Sequence, residues 1–342
     1  MTGTQRIRVL VVDDSAFARK VIRDVLSAQP DLDVVGTARD GLEALEKVGE
    51  LLPDVVTLDL AMPNLDGLGV LAALRGRAAK VVVVSIAGSS SEQGLAALDA
   101  GAAEVVHKPT ALATDRLFEM SGDLVRAVRA ASVARPPAVD GPDATPRLAA
   151  PLAATKRVVV IGASTGGPNA VSRLLKALPA DFPVPIAVVL HLPTGYTGPY
   201  AERLDGLCAL TVREAEDGMP LAAGTAVIAR AGYHLKIREE ARALFAVSDL
   251  SPVRVPHRPS VDVLFASAAE TTGPATLGVV LTGMGDDGLE GSRAIRAAGG
   301  EILTETEASC VVYGMPRSVW EAGLATAEAP LSRMAAEVLA RS

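Results

Sequence analysis

The chain has 342 residues, of which 49% are hydrophobic and 21% are charged, and this composition excludes a disordered or fibrous protein. Its formal net charge of -7 does not supply the positive field that a general nucleic-acid binder needs, so we expect no nucleic-acid partner. Two cysteines are too few for a disulfide framework and are compatible with a reducing compartment.

Short apolar runs alternate with segments of helical periodicity from residue 7 to about residue 131. The first run lies within MTGTQRIRVL, which has no charged leader, and no apolar run in the chain approaches the roughly 20 residues that cross a bilayer. We therefore expect a cytoplasmic protein without membrane insertion. Because the Val-rich runs lack polar alternation, they are typical of strands buried on both faces. The pattern predicts an α/β fold for residues 1–131, with a five-stranded parallel sheet covered by helices.

Polar residues stand at the ends of these strands. Asp13 and Asp14 end the first strand, Asp59 the third and Ser85 the fourth, and Lys108 follows the fifth. In a parallel sheet these ends meet at one edge, where ligands gather. Carboxylates that converge repel one another unless a cation lies among them, and their oxygens suit Mg²⁺. The alternative for each single Asp is a helix cap.

This constellation, together with VVDDS, LDLAMPNLDGL and HKP, resembles the receiver domain of bacterial response regulators over roughly residues 6–130. The resemblance implies a flavodoxin-like fold and a set of roles. These are the phosphoacceptor Asp59, the Mg²⁺ ligands Asp13, Asp14, Asp59 and the main-chain carbonyl of Ala61, and the phosphoryl contacts and switch residues Ser85 and Lys108. Val105 departs from receivers, which often carry Phe or Tyr there as a switch side chain.

Residues 132–156 are dense in Ala and Pro, lack hydrophobic periodicity and read as a linker. Buried-strand patterns return in RVVVIG, PIAVVLHL, AVIAR, LGVVLTG and EILTET, interleaved with helical segments. They predict a second α/β domain over residues 157–342.

The turn G-A-S-T-G places Ser164 between a buried strand and an amphipathic helix, as the G-x-S-x-G nucleophile pattern requires. A helix N-cap or a phosphate-binding turn would explain the same residues. A serine nucleophile needs a base, and His191, at the end of a buried strand, is better placed than His234 or His257. In LTGMGDDGLEG, Asp286 and Asp287 follow another strand as candidate orienting carboxylates, although an Asp-Gly turn is equally compatible.

The order Ser, His, Asp differs from the Ser, acid, His order of α/β-hydrolases, and GASTGG lacks the spacing of a dinucleotide-binding loop. In combination, IGASTGGPNA, HLPTGY, HRPSVDVLFASAA, LTGMGDDGLEG and SCVVYGMPR resemble the catalytic domain of the chemotaxis methylesterases, the CheB family, over about residues 157–340. The resemblance implies a doubly wound domain with a mostly parallel sheet and a triad of Ser164, His191 and Asp287. It also implies that Thr165 helps to position the histidine and that the Met284 main-chain N–H contributes to an oxyanion site.

The family further implies a phosphorylation-controlled esterase that demethylates γ-glutamyl methyl esters, and deamidates glutamines, on methyl-accepting chemotaxis receptors. Its partners would be those receptors and a chemotaxis histidine kinase, with Mg²⁺ needed in the receiver and no cofactor in the esterase. Leu190, where Gln is frequent, and Tyr233 depart from the family pattern. Two other hypotheses are a receiver joined to a non-catalytic binding domain and, last, a DNA-binding regulator.

Overall fold

The computed structural model describes residues 6–86, 91–108, 114–135, 156–251 and 255–342. The chain forms two compact units, Met1–Ala134 and Arg135–Ser342. Within the described residues, no helix combines the length and apolar character needed to cross a membrane.

The first unit contains a five-stranded parallel sheet in the order β2-β1-β3-β4-β5, which is the flavodoxin-like order and confirms the predicted fold. Its strands are β1 (Ile7–Val12), β2 (Leu32–Ala38), β3 (Val55–Leu58), β4 (Lys80–Ile86) and β5 (Glu104–Lys108). Its helices are α1 (Ala16–Ser27), α2 (Gly41–Leu51), α3 (Gly67–Leu74), α4 (Ser91–Asp99) and α5 (Thr114–Val133).

Three helices of this unit begin with a side-chain cap. Ser15, Asp40 and Asp66 accept hydrogen bonds from the main-chain amides of Ala18, Glu43 and Gly69. Each bond satisfies an amide that the helix itself leaves unpaired. None of the strand-end carboxylates predicted to bind a cation is used as one of these caps.

Helix α5 continues through Ser132 and Val133, which are the first two residues of the predicted linker. The extension follows from packing, because Ala130, Ala131 and Ala134 are all buried. Most of the predicted linker, residues 136–155, lies outside the described residues.

The second unit is built on a seven-stranded sheet in the order β15-β14-β13-β6-β7-β10-β8, with every pairing parallel. Its strands are β6 (Val158–Ala163), β7 (Ile186–Leu190), β8 (Thr211–Glu214), β10 (Thr225–Ile228), β13 (Thr276–Val280), β14 (Glu301–Glu305) and β15 (Ala327–Ala329). The helices are α6 (Gly167–Lys176), α7 (Thr197–Asp205), α8 (Val261–Thr272), α9 (Leu289–Ala297), α10 (Met315–Glu321) and α11 (Leu331–Arg341).

A separate three-stranded antiparallel sheet, in the order β11-β12-β9, was not predicted from the sequence. It consists of β9 (Pro220–Leu221), β11 (His234–Glu240) and β12 (Ala243–Asp249). Leu235, Ile237, Leu244 and Ala246 join the hydrophobic core of the unit, and polar residues between them remain more exposed. This alternation is typical of antiparallel strands with one solvated face.

Strand β6 lies at the point where the order of the large sheet reverses, since the chain adds β7 on one side and β13 on the other. Ligand sites of doubly wound sheets form outside the carboxyl ends of strands at such a point. Ser164 follows β6 directly, His191 follows β7 directly, and Asp287 lies in the loop after β13. The topology therefore directs the three predicted triad residues to one edge.

Candidate active site and acidic cluster

The turn after β6 does not use the hydroxyl of the buried Ser164 as a helix cap. The N-cap of α6 is Gly166, in the left-handed conformation at φ 78°, and the cap makes no side-chain hydrogen bond. The Ser164 main-chain N–H donates to the Thr282 carbonyl at 3.0 Å, which fixes the turn to the loop after β13. The N-cap interpretation of Ser164 is therefore wrong, and its Oγ remains available for chemistry.

The three predicted triad side chains are in contact. His191 Nδ1 lies 3.2 Å from Ser164 Oγ, and His191 Nε2 lies 2.9 Å from an Asp287 carboxylate oxygen. The His191 and Asp287 side chains are only 8% and 7% exposed, so little solvent screens their interaction. The geometry is that of a nucleophile, a base and an orienting carboxylate.

Asp287 sits against the N-terminus of α8. Its carboxylate accepts hydrogen bonds from Ser260 Oγ at 2.9 Å and from the main-chain amides of Val261 and Asp262 at 2.8 and 3.0 Å. Burial opposes ionisation of this group, but the hydrogen bond and charge of His191, with the two amides, lower the pKa of Asp287 to about 2. The carboxylate is thus ionised at neutral pH.

The ionised state of Asp287 decides where the proton on His191 lies. A carboxylate only accepts hydrogen bonds, so Nε2 must carry the proton and donate it towards Asp287. Nδ1 is then the unprotonated nitrogen and accepts the Ser164 hydroxyl proton. The chymotrypsin triad uses the two ring nitrogens the other way round. The arrangement supplies a base at Nδ1 and a negative charge that stabilises the imidazolium.

The loop after β13 approaches the nucleophile closely. A Cβ added to Gly283 would lie 2.8 Å from Ser164 Cβ and 2.3 Å from Met315 Sδ, so only glycine fits there. The main-chain amide of Gly283 donates to the Val312 carbonyl, and its carbonyl accepts from the Met315 amide. Met284 is the next residue, and the contribution of its main-chain N–H to an oxyanion site stays a prediction.

Thr165 and Asp286 differ in their surroundings. Thr165 is buried, and its carbonyl accepts a hydrogen bond from Thr282 Oγ1 at 3.0 Å. Its role in positioning His191 stays a prediction. Asp286 is exposed, and its carbonyl accepts from the Leu289 amide at the start of α9. The sequence offered Asp286 as well as Asp287 as an orienting carboxylate, and among the described hydrogen bonds it is Asp287 that contacts His191.

The second unit, which carries the triad, contains two other histidines, and their surroundings differ. His234 is 1% exposed, and neither of its ring nitrogens has a hydrogen-bond partner among the described residues. Burial lowers its pKa. His257 instead stacks on the ring of His191. Neither contacts Ser164 as His191 does in the described hydrogen bonds.

Two supporting groups were not predicted from the sequence. Ser260 immediately precedes α8, which is a common place for a helix cap, and this position was the available signal. Glu305, at the end of β14, is 0% exposed and accepts from the Thr282 amide at 2.9 Å and from Ser309 Oγ at 2.9 Å. Burial raises the pKa of Glu305. Its contact with Thr282 supports the residue whose carbonyl holds the Ser164 amide.

In the first unit, a cluster of charged side chains lies at the carboxyl edge of the sheet. Lys108 Nζ lies 2.6 Å from Asp13 and 2.7 Å from Asp59, and it bridges the two carboxylates. Burial raises the pKa of Asp13, whereas for Lys108 the hydrogen bonds to both carboxylates outweigh burial and raise its pKa. Oxygens of Asp13, Asp14 and Asp59 all lie within 4.8 Å of one another. Three hard oxygen donors at this spacing fit a Mg²⁺ ion.

The remaining predicted receiver residues flank this cluster. Ser85 is buried near the end of β4, in register with His107 of β5. The Ala61 amide donates to Asp59 at 3.3 Å, which places the Ala61 main chain next to the acidic group. Val105 is buried within β5. The structure brings Asp13, Asp14, Asp59 and Lys108 together, and the roles of Ser85 and the Ala61 carbonyl stay predictions.

Comparison with known proteins identifies a family for each of the two parts of the chain. Residues 159–338 match the family described as CheB methylesterase, and residues 9–120 match the response regulator receiver domain. The chain belongs to the CheB methylesterase family. It is 60% identical over 344 residues to protein-glutamate methylesterase/protein-glutamine glutaminase 5 of Myxococcus xanthus (strain DK1622), covering 98% of each chain.

Further relatives of this CheB family chain carry the same description. A protein-glutamate methylesterase/protein-glutamine glutaminase 2 of Cupriavidus pinatubonensis is 44% identical, over 98% of this chain and 96% of that one. The crystal structure of the Thermotoga maritima CheB methylesterase catalytic domain is 39% identical with a TM-score of 0.54, covering 55% of this chain and 99% of that one. The sequence resemblance to the CheB family is thus confirmed.

Proposed function

We propose that this chain is a phosphorylation-controlled protein-glutamate methylesterase that acts on methyl-accepting chemotaxis receptors. The observation that carries the proposal is the continuous contact from Ser164 through His191 to Asp287. The substrate class comes from family membership, because the relatives with full-length similarity are named for this activity.

In the first half of the reaction, Ser164 Oγ attacks the carbonyl carbon of a γ-glutamyl methyl ester. Its proton passes to His191 Nδ1, and Asp287 stabilises the imidazolium that results. The negative charge on the former carbonyl oxygen is met by the main-chain N–H of Met284. The carbon–oxygen bond to the methoxy group then breaks, and His191 returns the proton so that methanol leaves.

In the second half, a water molecule attacks the acyl-serine while His191 Nδ1 takes its proton. Collapse of the second tetrahedral intermediate breaks the bond to Ser164 Oγ and returns a proton to that oxygen. The product is a free glutamate side chain. A glutamine side chain gives the same acyl-serine with ammonia as the leaving group, so the site also supports deamidation. From the protein, these steps use the side chains of Ser164, His191 and Asp287 and the main-chain N–H of Met284.

We infer that phosphorylation of the first unit controls the rate of the esterase reaction. We assign Asp59 as the phosphoacceptor for a chemotaxis histidine kinase, with Asp13, Asp14 and the Ala61 carbonyl completing the set that would hold Mg²⁺. A bound Mg²⁺ neutralises charge on the phosphoryl oxygens. We assign Lys108, which bridges Asp13 and Asp59, the ammonium contact with a phosphoryl group on Asp59, and Ser85 the hydroxyl contact. Phosphorylation then alters a two-state equilibrium that sets the esterase rate.

The test is methanol release from a methylated chemoreceptor cytoplasmic domain, with Mg²⁺ and a small phosphodonor present or absent. We expect Ser164→Ala to abolish release with folding intact, and Asp59→Asn to retain basal release but lose stimulation by the phosphodonor. Methanol release by Ser164→Ala would contradict the esterase proposal, and a phosphodonor response in Asp59→Asn would contradict the control proposal. Phosphate uptake without ester cleavage by the wild type would favour the binding-domain hypothesis.

A further inference from the structure

The ring of His257 lies against the face of His191. Their ring centroids are 4.1 Å apart and the ring planes differ by 25°. The arrangement is a stacked pair of aromatic rings. His257 is half-buried, and its ring covers one face of the imidazole whose edges contact Ser164 and Asp287.

The segment that carries His257 also holds the far end of the triad. Three residues after His257, Ser260 Oγ donates to Asp287, and the amides of Val261 and Asp262 donate to the same carboxylate. Residues 257–262 thus contact the histidine through a ring face and the carboxylate through three donors. One short stretch of chain fixes the relative placement of both groups.

Two hydrogen bonds do not fully fix an imidazole. A ring that is held at Nδ1 and Nε2 can still rock about its Cβ–Cγ bond. This motion carries the Nδ1 lone pair away from the Ser164 hydroxyl, and proton transfer depends on that alignment. A second ring packed on its face opposes the motion.

We propose that His257 is a positioning residue for the esterase reaction: stacked on His191, it fixes the plane of the catalytic imidazole and keeps Nδ1 aligned with Ser164 Oγ. The kinetic part of this inference rests on the proposed esterase function. The structural part concerns the ring of His191 alone, and it is measured without any substrate.

The kinetic test uses phosphodonor-activated full-length protein and a methylated receptor domain. We expect His257→Ala to lower kcat roughly tenfold, because alignment is lost after the substrate has bound. KM should stay within about twofold. Phe keeps a ring on the face of His191, so His257→Phe should recover most of kcat. A rise in KM with kcat intact would overturn the proposal.

A matched control removes another half-buried ring from the same unit. Phe245, on β12, lies under the Arg238 guanidinium with 6.0 Å from that group to the ring centroid. We expect Phe245→Ala to leave kcat unchanged. Thermal unfolding of each variant, measured beside the kinetics, separates loss of alignment from loss of folded protein.

The second readout is the nitrogen NMR spectrum of the imidazole rings. The chain has four histidines, so ¹⁵N-histidine labelling gives few signals, and single substitutions assign them. We expect the Nε2–H tautomer of His191 in all three proteins, because its contact with Asp287 is unchanged. The His191 Nδ1 signal should shift and broaden in His257→Ala as the alignment with Ser164 is lost, and it should return to the wild-type position in His257→Phe. Unchanged His191 signals in His257→Ala would overturn the proposal. If the wild type releases no methanol but the His191 signals differ among the three proteins as expected, the esterase proposal fails and the positioning role stands.

Discussion

At the scale of single residues, the ionised Asp287 sets the chemistry of the site. Its low pKa selects the Nε2–H tautomer of His191 and leaves Nδ1 as the base. The sequence indicated both residues from their places at strand ends, together with the family resemblance. It did not indicate which ring nitrogen faces Ser164, because ring orientation depends on the Ser260 hydroxyl and α8 amides that fix the carboxylate.

Replacement of this carboxylate tests the tautomer argument. In Asp287→Asn the amide group can donate to Nε2, which favours the tautomer with its proton on Nδ1 and removes the charge that stabilises the imidazolium. We expect kcat for methanol release to fall by about 10⁴, as the equivalent change does in serine proteases.

Asp286→Asn is the matched control for Asp287→Asn. It makes the same chemical change at the neighbouring, exposed residue, and we expect full activity from it. A loss of activity in Asp286→Asn as large as that in Asp287→Asn would contradict the assignment of the orienting carboxylate.

At the scale of elements, the loop between β13 and α9 positions the main chain beside the nucleophile. Thr282 and Gly283 are held by hydrogen bonds from three directions: the Ser164 turn, Val312 and Glu305. The apolar strand and the Gly-rich loop were readable from the sequence. The contacts with Val312 and Glu305 were not, because they join segments that are distant in the chain.

A methyl group at Gly283 tests how closely this loop must approach. In Gly283→Ala the new Cβ meets the buried Met315 and Ser164, so either the nucleophile or the loop must shift. We expect a loss of activity of roughly a hundredfold or more from misplacement of the reacting groups. We also expect a loss of about 1–3 kcal/mol in the free energy of unfolding.

Gly206→Ala is the control for this substitution. Gly206 follows α7 at φ -71°, and the nearest atom to an added Cβ is 3.7 Å away. The control should retain activity and stability. Full activity in Gly283→Ala, measured as methanol release, would show that the oxyanion site does not depend on this close approach.

At the scale of the whole molecule, the Val-rich runs predicted both parallel sheets. A strand that is buried on both faces is apolar along its whole length, so it can be recognised without knowing which strands it pairs with. The three-stranded antiparallel sheet was not predicted from the sequence. Its strand β9 is two residues long, and β11 continues past its buried half into the exposed Arg238, Glu239 and Glu240. Its stability comes from packing on α8, which sequence patterning alone does not reveal.

Stability as a function of pH reports on a second buried carboxyl group of the catalytic unit. Burial, reinforced by the charge of Asp287, raises the pKa of Asp262 to about 6. Because its folded pKa lies above the unfolded value of 3.8, this group contributes stability that is full below about pH 4 and is lost as the pH rises through about 6.

Asp262→Asn removes the ionisation and keeps an oxygen to accept from the Gly288 and Gly291 amides. Its free energy of unfolding should match the wild type at about pH 3, where the carboxyl group is protonated in both the folded and the unfolded state. It should exceed the wild type at pH 8 by up to about 3 kcal/mol, the equivalent of a two-unit pKa difference. Chemical denaturation at a series of pH values measures this. A difference between the two proteins that does not change with pH would contradict the raised pKa of Asp262.

The placement of β6 between β7 and β13 also governs when the esterase can exist during synthesis. The ribosome makes the serine strand first, but its partner β13 pairs with it more than one hundred residues later. Pairings of such long sequence separation form slowly. Asp287 and the loop that holds Met284 follow β13 in the chain. A nascent chain therefore contains Ser164 and His191 well before it contains Asp287, so the complete triad assembles only near the end of synthesis.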